Sequence, residues 1–265
     1  MTTAISIKSR LVLILGRCPL LLWMFALAGS LEAASPTFAE GDWKGDLQIY
    51  GWIPENDIKL NNGYEYKITR NDILEDIDVF LMTAGRLRKD RWSLALDLVY
   101  GDISNKDFDE QLLPGVTFDT GGLETWVVTP NIGYMIVDDE QQRFEVYAGA
   151  RYFWLEVDTR VKIESIIPGK PPIVVEGSDR MKHWDAIAGV RGLYNLSDNW
   201  YVPYSVNVGT GDSDFTWSAW GGGGYRFDSF DLTFGWRYMT YDVGSDTTID
   251  EIDIGGPFVG AMFRW

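Results

Sequence analysis

The sequence predicts an all-β fold, a transmembrane antiparallel up-and-down β-barrel of about ten strands, with eight or twelve as the alternatives. Three observations carry this. The chain opens on an export signal, segments of alternating hydrophobicity fill the rest between turns that are short and long in rotation, and the closing stretch, Gly256 to Trp265, alternates and stops on an aromatic.

Lys8 and Arg10 precede an apolar stretch from Leu11 to Leu31 that only Gly16 to Pro19 interrupts, and small residues offering cleavage points follow near Ala34 and at Thr37-Phe38-Ala39. Residues 1–39 therefore read as a cleaved secretory signal and 40–265 as one barrel domain. A retained membrane helix would carry Arg17 and Pro19 in mid-span, and no later segment reaches the ~18 apolar residues such a helix needs. Cys18, the single cysteine, lies inside the signal behind Arg17, where a lipoprotein signal wants a small residue. The mature chain thus offers no disulfide, thiol nucleophile or cysteine metal site, and no cofactor or metal is expected.

Hydrophobic residues make up 46% of the chain and aromatics 14%, with 12 Trp and 28 Gly, yet the mean hydropathy is only -0.11. A helical membrane protein would be far more apolar, whereas a barrel dilutes its lipid face with a polar interior. Loss of Lys8, Arg10, Arg17 and Glu32 takes 23 basic and 39 acidic residues to 20 and 38, so the net charge goes from -16 to -18. Nucleic acid is excluded as a partner, because its phosphates would be repelled.

The strands read Trp43 to Pro54, Leu74 to Arg88, Trp92 to Ile103, Leu123 to Val137, Gln142 to Asp158, Asp179 to Leu196, Trp200 to Thr210, Asp214 to Phe227, Phe230 to Val243 and Glu251 to Trp265. Lys89-Asp90-Arg91, Asp138 to Gln141, Ser197-Asp198-Asn199 and Asp228-Ser229 are the short turns. Glu55 to Ile73, Ser104 to Gly122, Thr159 to Ser178, a tight Gly211-Asp212-Ser213 and Gly244 to Asp250 connect the other ends. An even strand count puts both termini and the short turns on the periplasmic side, with the longer connections outside the cell. Trp92, Phe144, Trp200 and Phe230, each just after a polar turn, would join Trp43 and Trp265 in an inner aromatic girdle. A soluble sandwich would expose that row of rings to water.

Parity separates the faces. Trp92, Leu94, Leu96, Leu98 and Tyr100 should face lipid on the third strand, with Phe144, Val146, Ala148, Ala150, Tyr152 and Trp154 on the fifth and Leu232, Phe234, Trp236 and Tyr238 on the ninth. The alternate positions give a charged lumen: Asp46, Tyr50, Asp78, Arg86, Asp97, Arg143, Glu145, Arg151, Asp185, Arg191, Arg226 and Arg237. Ten strands lie nearer the filled eight-stranded limit than the open porins, so a plugged or very narrow lumen is expected. Pro130, Pro203 and Pro257 fall inside strands and cannot donate to the ladder, so bulges or strand ends are expected there; Gly221 to Gly224 reads as a bend for closure.

The lone His183 stands two residues before Asp185, facing the lumen near the outer mouth. As a general base oriented by that carboxylate it would serve Ser178, Ser205 or Ser218; as a polar residue at a strand start it would serve nothing, and this plainer reading is preferred because the spacing supplies no triad. Acidic residues crowd the outer loops at Glu55, Asp57, Glu65, Asp107, Asp109, Glu110, Asp119, Glu164, Glu176, Asp212, Asp246 and Asp250, without a regular calcium-ligand pattern.

The stretches Tyr50-Gly51-Trp52-Ile53-Pro54, Arg91-Trp92-Ser93-Leu94 with Asp97 and Tyr100, Trp184-Asp185 with Gly189 and Arg191, Phe215-Thr216-Trp217, Phe234-Gly235-Trp236-Arg237-Tyr238 and Gly256-Pro257 together resemble a family of uncharacterised proteobacterial outer-membrane β-barrel proteins, over almost all of residues 43–265. The resemblance implies location and fold, not activity. Omptin proteases are similar in strand number, but their acidic pairs and Asp-His site find no clear place here, nor does the catalytic arrangement of the smaller palmitoyl-transferring barrels. Resemblance to other outer-membrane barrels also implies that Phe263 and Trp265 form an assembly signal for the barrel-assembly machinery. The expected function is a non-enzymatic barrel in the bacterial outer membrane, structural or a narrow ion or small-solute channel, with membrane lipids and lipopolysaccharide as partners. A hydrolase or acyltransferase at the mouth near His183, and a loop-mediated adhesin or receptor, are the alternatives.

Overall fold

A computed structural model describes residues 43–60, 63, 65–70, 77–103, 110–113, 116–163, 171–244 and 249–265. The signal (residues 1–39) and the loop positions Asp107, Asp109, Glu164 and Asp246 lie outside the described residues, as do the side chains of Asp78, Glu110 and Asp119.

Thirteen strands are described: β1 (Lys44–Trp52), β2 (Glu55–Leu60), β3 (Glu65–Ile68), β4 (Ile77–Lys89), β5 (Trp92–Ile103), β6 (Glu110–Leu113), β7 (Val116–Asp138), β8 (Gln142–Ile163), β9 (Ile173–Asn195), β10 (Trp200–Gly211), β11 (Phe215–Arg226), β12 (Asp231–Asp242) and β13 (Ile249–Arg264). Ten of them, β1-β4-β5-β7-β8-β9-β10-β11-β12-β13, pair antiparallel in sequence order, and β1 meets β13 to close the barrel. Closure leaves no edge, so every wall strand has a neighbour on both sides.

The short turns follow from their side chains. Asp139 accepts the backbone N–H of Gln141 at 2.9 Å and of Gln142 at 2.8 Å, and Ser197 accepts that of Trp200 at 3.1 Å, each substituting for a backbone turn bond. Asp90, with φ 54°, takes the left-handed corner between β4 and β5 that Asp tolerates better than most residues.

Register then places aromatics beside one another. Trp92 lies opposite Tyr134 with rings 5.0 Å apart, and Trp200 opposite Tyr225 at 4.9 Å. With exposed Trp43, Phe227 and Trp265 they ring the short-turn end. Toward the other end Tyr152 meets Trp184 at 4.7 Å, Trp217 meets Tyr238 at 5.0 Å and Tyr100 is covered by Trp126 at 4.3 Å. The strands β10 to β12 are 12 residues each, which at ~3.3 Å per residue and a ~40° tilt span about 30 Å, one hydrocarbon thickness.

The wall is not level. Strands β7, β8 and β9 have 23, 22 and 23 residues and stay paired to Val116↔Ile163↔Ile173, about twice the height of β10 to β12. Residues 116–122, 159–163 and 173–178, expected in loops, belong to these strands. Within Glu55 to Ile73, also expected as a loop, β2 continues the line of β1 along β13 (Trp52↔Phe258, then Glu55↔Gly255) and β3 folds back on it.

No bulge accommodates the three prolines, which corrects the expectation. Pro130 keeps register with Leu96, Pro203 with Leu193 and Pro257 with Trp236, without a register shift at any of them. On the other flank the ladder lapses for a few residues and resumes in phase, at Val128↔Tyr152 and Asn131↔Gly149, and at Tyr201↔Gly224 and Tyr204↔Gly221. A proline lacks one donor and so costs one flank only. The run Gly221 to Gly224 likewise keeps β11 in register with β12 throughout. A side chain at Gly224 would collide with the ring of Tyr201.

Candidate functional site

Inward-pointing side chains change character halfway up β5, β8 and β12. From the short-turn end, β8 sends in Arg143, Glu145, Tyr147, Gly149 and Arg151, then Phe153 and Leu155; β12 sends in Asp231, Thr233, Gly235 and Arg237, then Met239 and Tyr241; β5 sends in Ser93, Ala95 and Asp97, then Val99. On these strands the inner half of the lumen is polar and the outer half apolar, while β9 and β11 bury His183, Ser218 and Thr216 at the outer level.

The inner half is a set of ion pairs. Glu145 accepts from Arg191 at 2.5 Å and from the Ser93 hydroxyl, while Arg86 approaches its second oxygen at 3.8 Å. Arg191 also donates to Asn131 at 2.8 Å and lies over the Tyr147 ring at 4.7 Å. Above this cluster Arg237 donates to Asp97 at 2.6 Å and to the Tyr50 hydroxyl at 2.7 Å, and Tyr50 donates to Asp97 at 2.6 Å. Below it Arg86 pairs with Asp46 at 3.1 Å, and Asp231 accepts from Arg264 and, at 2.9 Å, from Tyr201. Arg226 sits at the rim, over Tyr201 at 4.6 Å. A cavity of about 190 Å³ remains between these groups.

The outer half is a packed apolar layer. Trp52, Met82, Val99, Val127, Phe153, Leu155, Met239, Tyr241, Ile252, Ile254 and Phe258 form one buried cluster, with Met239 at 0% and Tyr241 at 1% exposure. Phe153 and Tyr241 face each other across the lumen at 4.6 Å between rings. Only about 70 Å³ stays open there. Parity sends Trp52 and Val99 of this layer inward, but the expected lumen was otherwise mainly charged or phenolic, so the layer itself was missed; its signal is the loss of alternation in Leu98-Val99-Tyr100, Tyr152-Phe153-Trp154-Leu155 and Tyr238-Met239.

Of the expected lumen residues, Asp46, Tyr50, Arg86, Asp97, Arg143, Glu145, Arg151, Arg191 and Arg237 line the inner cavity. Asp185 does not; it binds the β10–β11 turn, accepting the Ser213 N–H at 2.9 Å and hydroxyl at 3.0 Å. His183 meets the same hydroxyl at 3.3 Å. The serine thus stands between the carboxylate and the imidazole, the reverse of a triad in which the histidine bridges, and Ser213 is fully buried. The serines proposed from sequence are elsewhere: Ser178 bonds Glu156 at 3.0 Å and Ser205 bonds Tyr147 at 3.0 Å. Ser213, Asn207, Asn131 and Ser93 were not foreseen as partners, although parity on β10 and β5 points Asn207 and Ser93 inward.

Outside the membrane-spanning part, Lys59 on β2 pairs with Glu251 at 2.7 Å and Asp253 at 3.7 Å, and its hydrogen bond to Glu251 holds the ammonium above its usual pKa. Among the described residues no three His, Cys, Asp or Glu side chains are grouped to hold a metal ion.

No family model matches the chain, and no curated protein does. Solved structures do. The outer membrane protease OmpT of Escherichia coli is similar at TM-score 0.50 and 10% identity, covering 88% of this chain and 100% of its own. The translocator domain of the autotransporter NalP of Neisseria meningitidis gives TM-score 0.44 at 12% identity over 97% of each chain. The attachment invasion locus protein Ail of Yersinia pestis gives 0.36 at 12% identity over 86% and 100%. At such identity the likeness to OmpT is one of fold alone. A closed ten-stranded wall with paired aromatic girdles, on a fold shared with that protein, makes this chain an outer-membrane β-barrel of the bacterial cell.

Proposed function

We propose that the protein is a non-enzymatic outer-membrane barrel whose lumen is closed to ions, a structural barrel rather than an open channel. The observation that carries this reading is the apolar layer spanning the outer half of the lumen, from Trp52 through Phe153 to Tyr241. An ion leaving the polar inner half would lose its hydration against Met, Phe and Ile side chains, which is how hydrophobic constrictions gate by dewetting. The refolded mature protein, verified by heat-modifiable gel migration, should be silent in planar bilayers; resolved single-channel steps would overturn the closed reading.

The hydrolase reading loses support from the burial of Ser213 and from the order of the contacts, with the serine hydroxyl between Asp185 and His183. Loop-mediated recognition keeps some, because β7, β8 and β9 rise well past the membrane and carry exposed Ile173, Val174 and Val175. Grafting residues 116–122, 159–163 and 173–178 onto a smaller barrel and testing adhesion to host cells separates that reading from the first. We further propose that Phe263 and Trp265, 43% and 48% exposed at the short-turn end, are read by the assembly machinery. Normal outer-membrane levels of a chain lacking residues 263–265 would refute it.

A further inference from the structure

Arg151 is 1% exposed, yet its side chain meets only neutral groups. One terminal nitrogen donates to Thr216 at 3.2 Å, the other to Asn207 at 2.5 Å, the guanidinium lies 5.9 Å from the Tyr241 ring, and Nε has no partner. The other deeply placed lumen arginines are neutralised: Arg86 and Arg88 face Asp46, Arg191 faces Glu145 and Arg237 faces Asp97. Asp185, opposite Arg151 in register, gives both oxygens to Ser213. Among the described residues no carboxylate comes within the 4.0 Å of an ion pair with Arg151.

A guanidinium does not deprotonate in a protein, and an unpaired buried charge costs several kcal/mol. No carboxylate pairs with it directly, so an anion from solution would meet a guanidinium with a free donor at Nε. Arg151 sits at the top of the inner cavity, which holds about 190 Å³ and is lined by five arginines against three carboxylates. That is a cationic chamber in an otherwise acidic chain. Around Arg151 the lining offers Ser205, Asn207 and Ser218 as polar contacts, and the Nε groups of Arg191 and Arg237 are also without partners. The apolar layer closes the chamber above, while Arg86 and Arg143 at its lower end have side chains 27% and 41% exposed.

We propose that Arg151 anchors a binding site for a small oxyanion, of carboxylate or phosphate size, entered from the periplasmic end. The cavity has room for such an ion together with waters. This goes beyond the closed-lumen reading and fails separately from it: conductance reports on the apolar layer, binding on Arg151.

The test is calorimetric titration of the refolded protein in zwitterionic detergent with acetate, inorganic phosphate and sulfate, and with chloride as control. Saturable binding of at least one oxyanion is expected, weakened at least about tenfold in Arg151→Gln, as for loss of a charge-assisted contact. Asn207→Asp, nearly isosteric, keeps the protein folded and supplies Arg151 with an internal carboxylate; it should abolish binding. Absence of saturable heat with all three oxyanions, equal binding by Asn207→Asp, or equal affinity for chloride would overturn the proposal.

Discussion

The inner and outer halves of the lumen share most of their wall strands at the same parity, yet one is held by ions and the other, along β12, β13, β1, β4, β5, β7 and β8, by packing. In the inner half each guanidinium has a fixed acceptor geometry, as Arg191 has with Glu145, Ser93 and Asn131. In the outer half Met239 and Phe153 fill space without directional demands. Buried ion pairs contribute little net stability compared with apolar packing, but removing one partner is expensive. The outer half therefore closes the barrel and tolerates exchange of one apolar side chain for another, whereas the inner half fixes register and tolerates almost none.

The largest break of this contrast is to wet the outer half. Phe153→Asp with Met239→Ser puts polar groups into the buried layer at two facing strands, and should turn a silent barrel into one with ohmic steps in planar bilayers. Continued silence from protein that still migrates as folded would mean that the seal lies elsewhere. Next comes Arg191→Met, which leaves Glu145, 2% exposed, without its closest cationic partner. A loss of roughly 3–5 kcal/mol is expected in denaturant unfolding from micelles, and Arg191→Met with Glu145→Leu should recover most of it, because removing both charges removes the desolvation debt. A double variant no more stable than the single would show that the pair itself stabilises. Smaller again is Gly133→Ala. A Cβ there would run into the Glu145 carboxylate and the Ser93 hydroxyl, so the cluster has to shift, at about 1–3 kcal/mol.

How far the fold was legible follows from the same contrast. Where one face is apolar and the other polar, period two exposes both strand and parity, and the ten wall strands and inward residues such as Glu145, Arg191 and Arg237 could be read directly. Where both faces are apolar, as in Tyr152 to Leu155, alternation vanishes; parity carried up from Phe144 still sends Tyr152 and Trp154 to the lipid, but nothing in the run marks Phe153 and Leu155 as a seal rather than as wall. The taller parts of β7 to β9 were hidden differently. Ile173-Val174-Val175 is a β-branched run beside Lys170-Pro171-Pro172, and the prolines and flanking charges outweighed it. The contact between Ser213 and Asp185 depends on a tight turn tucking against β9, which spacing along the chain does not encode.

The smallest effect sharpens the comparison from outside. Lys59 and Glu251 pair at 2.7 Å, the same distance class as Arg191 with Glu145, but their side chains are 39% and 32% exposed. Water screens such a pair and the free partner can be rehydrated, so Lys59→Met should cost no more than about 1 kcal/mol and less in high salt. The raised pKa of Lys59 sets the sign of its pH dependence: the contribution is complete below the ordinary lysine pKa and is lost as pH climbs through the folded-state value, which lies higher. Unfolding measured across that alkaline range in wild type and Lys59→Met should diverge only weakly. A loss matching that of Arg191→Met would mean that geometry, not burial, decides what an ion pair is worth in this barrel, and the division of the lumen into two materials would lose its physical basis.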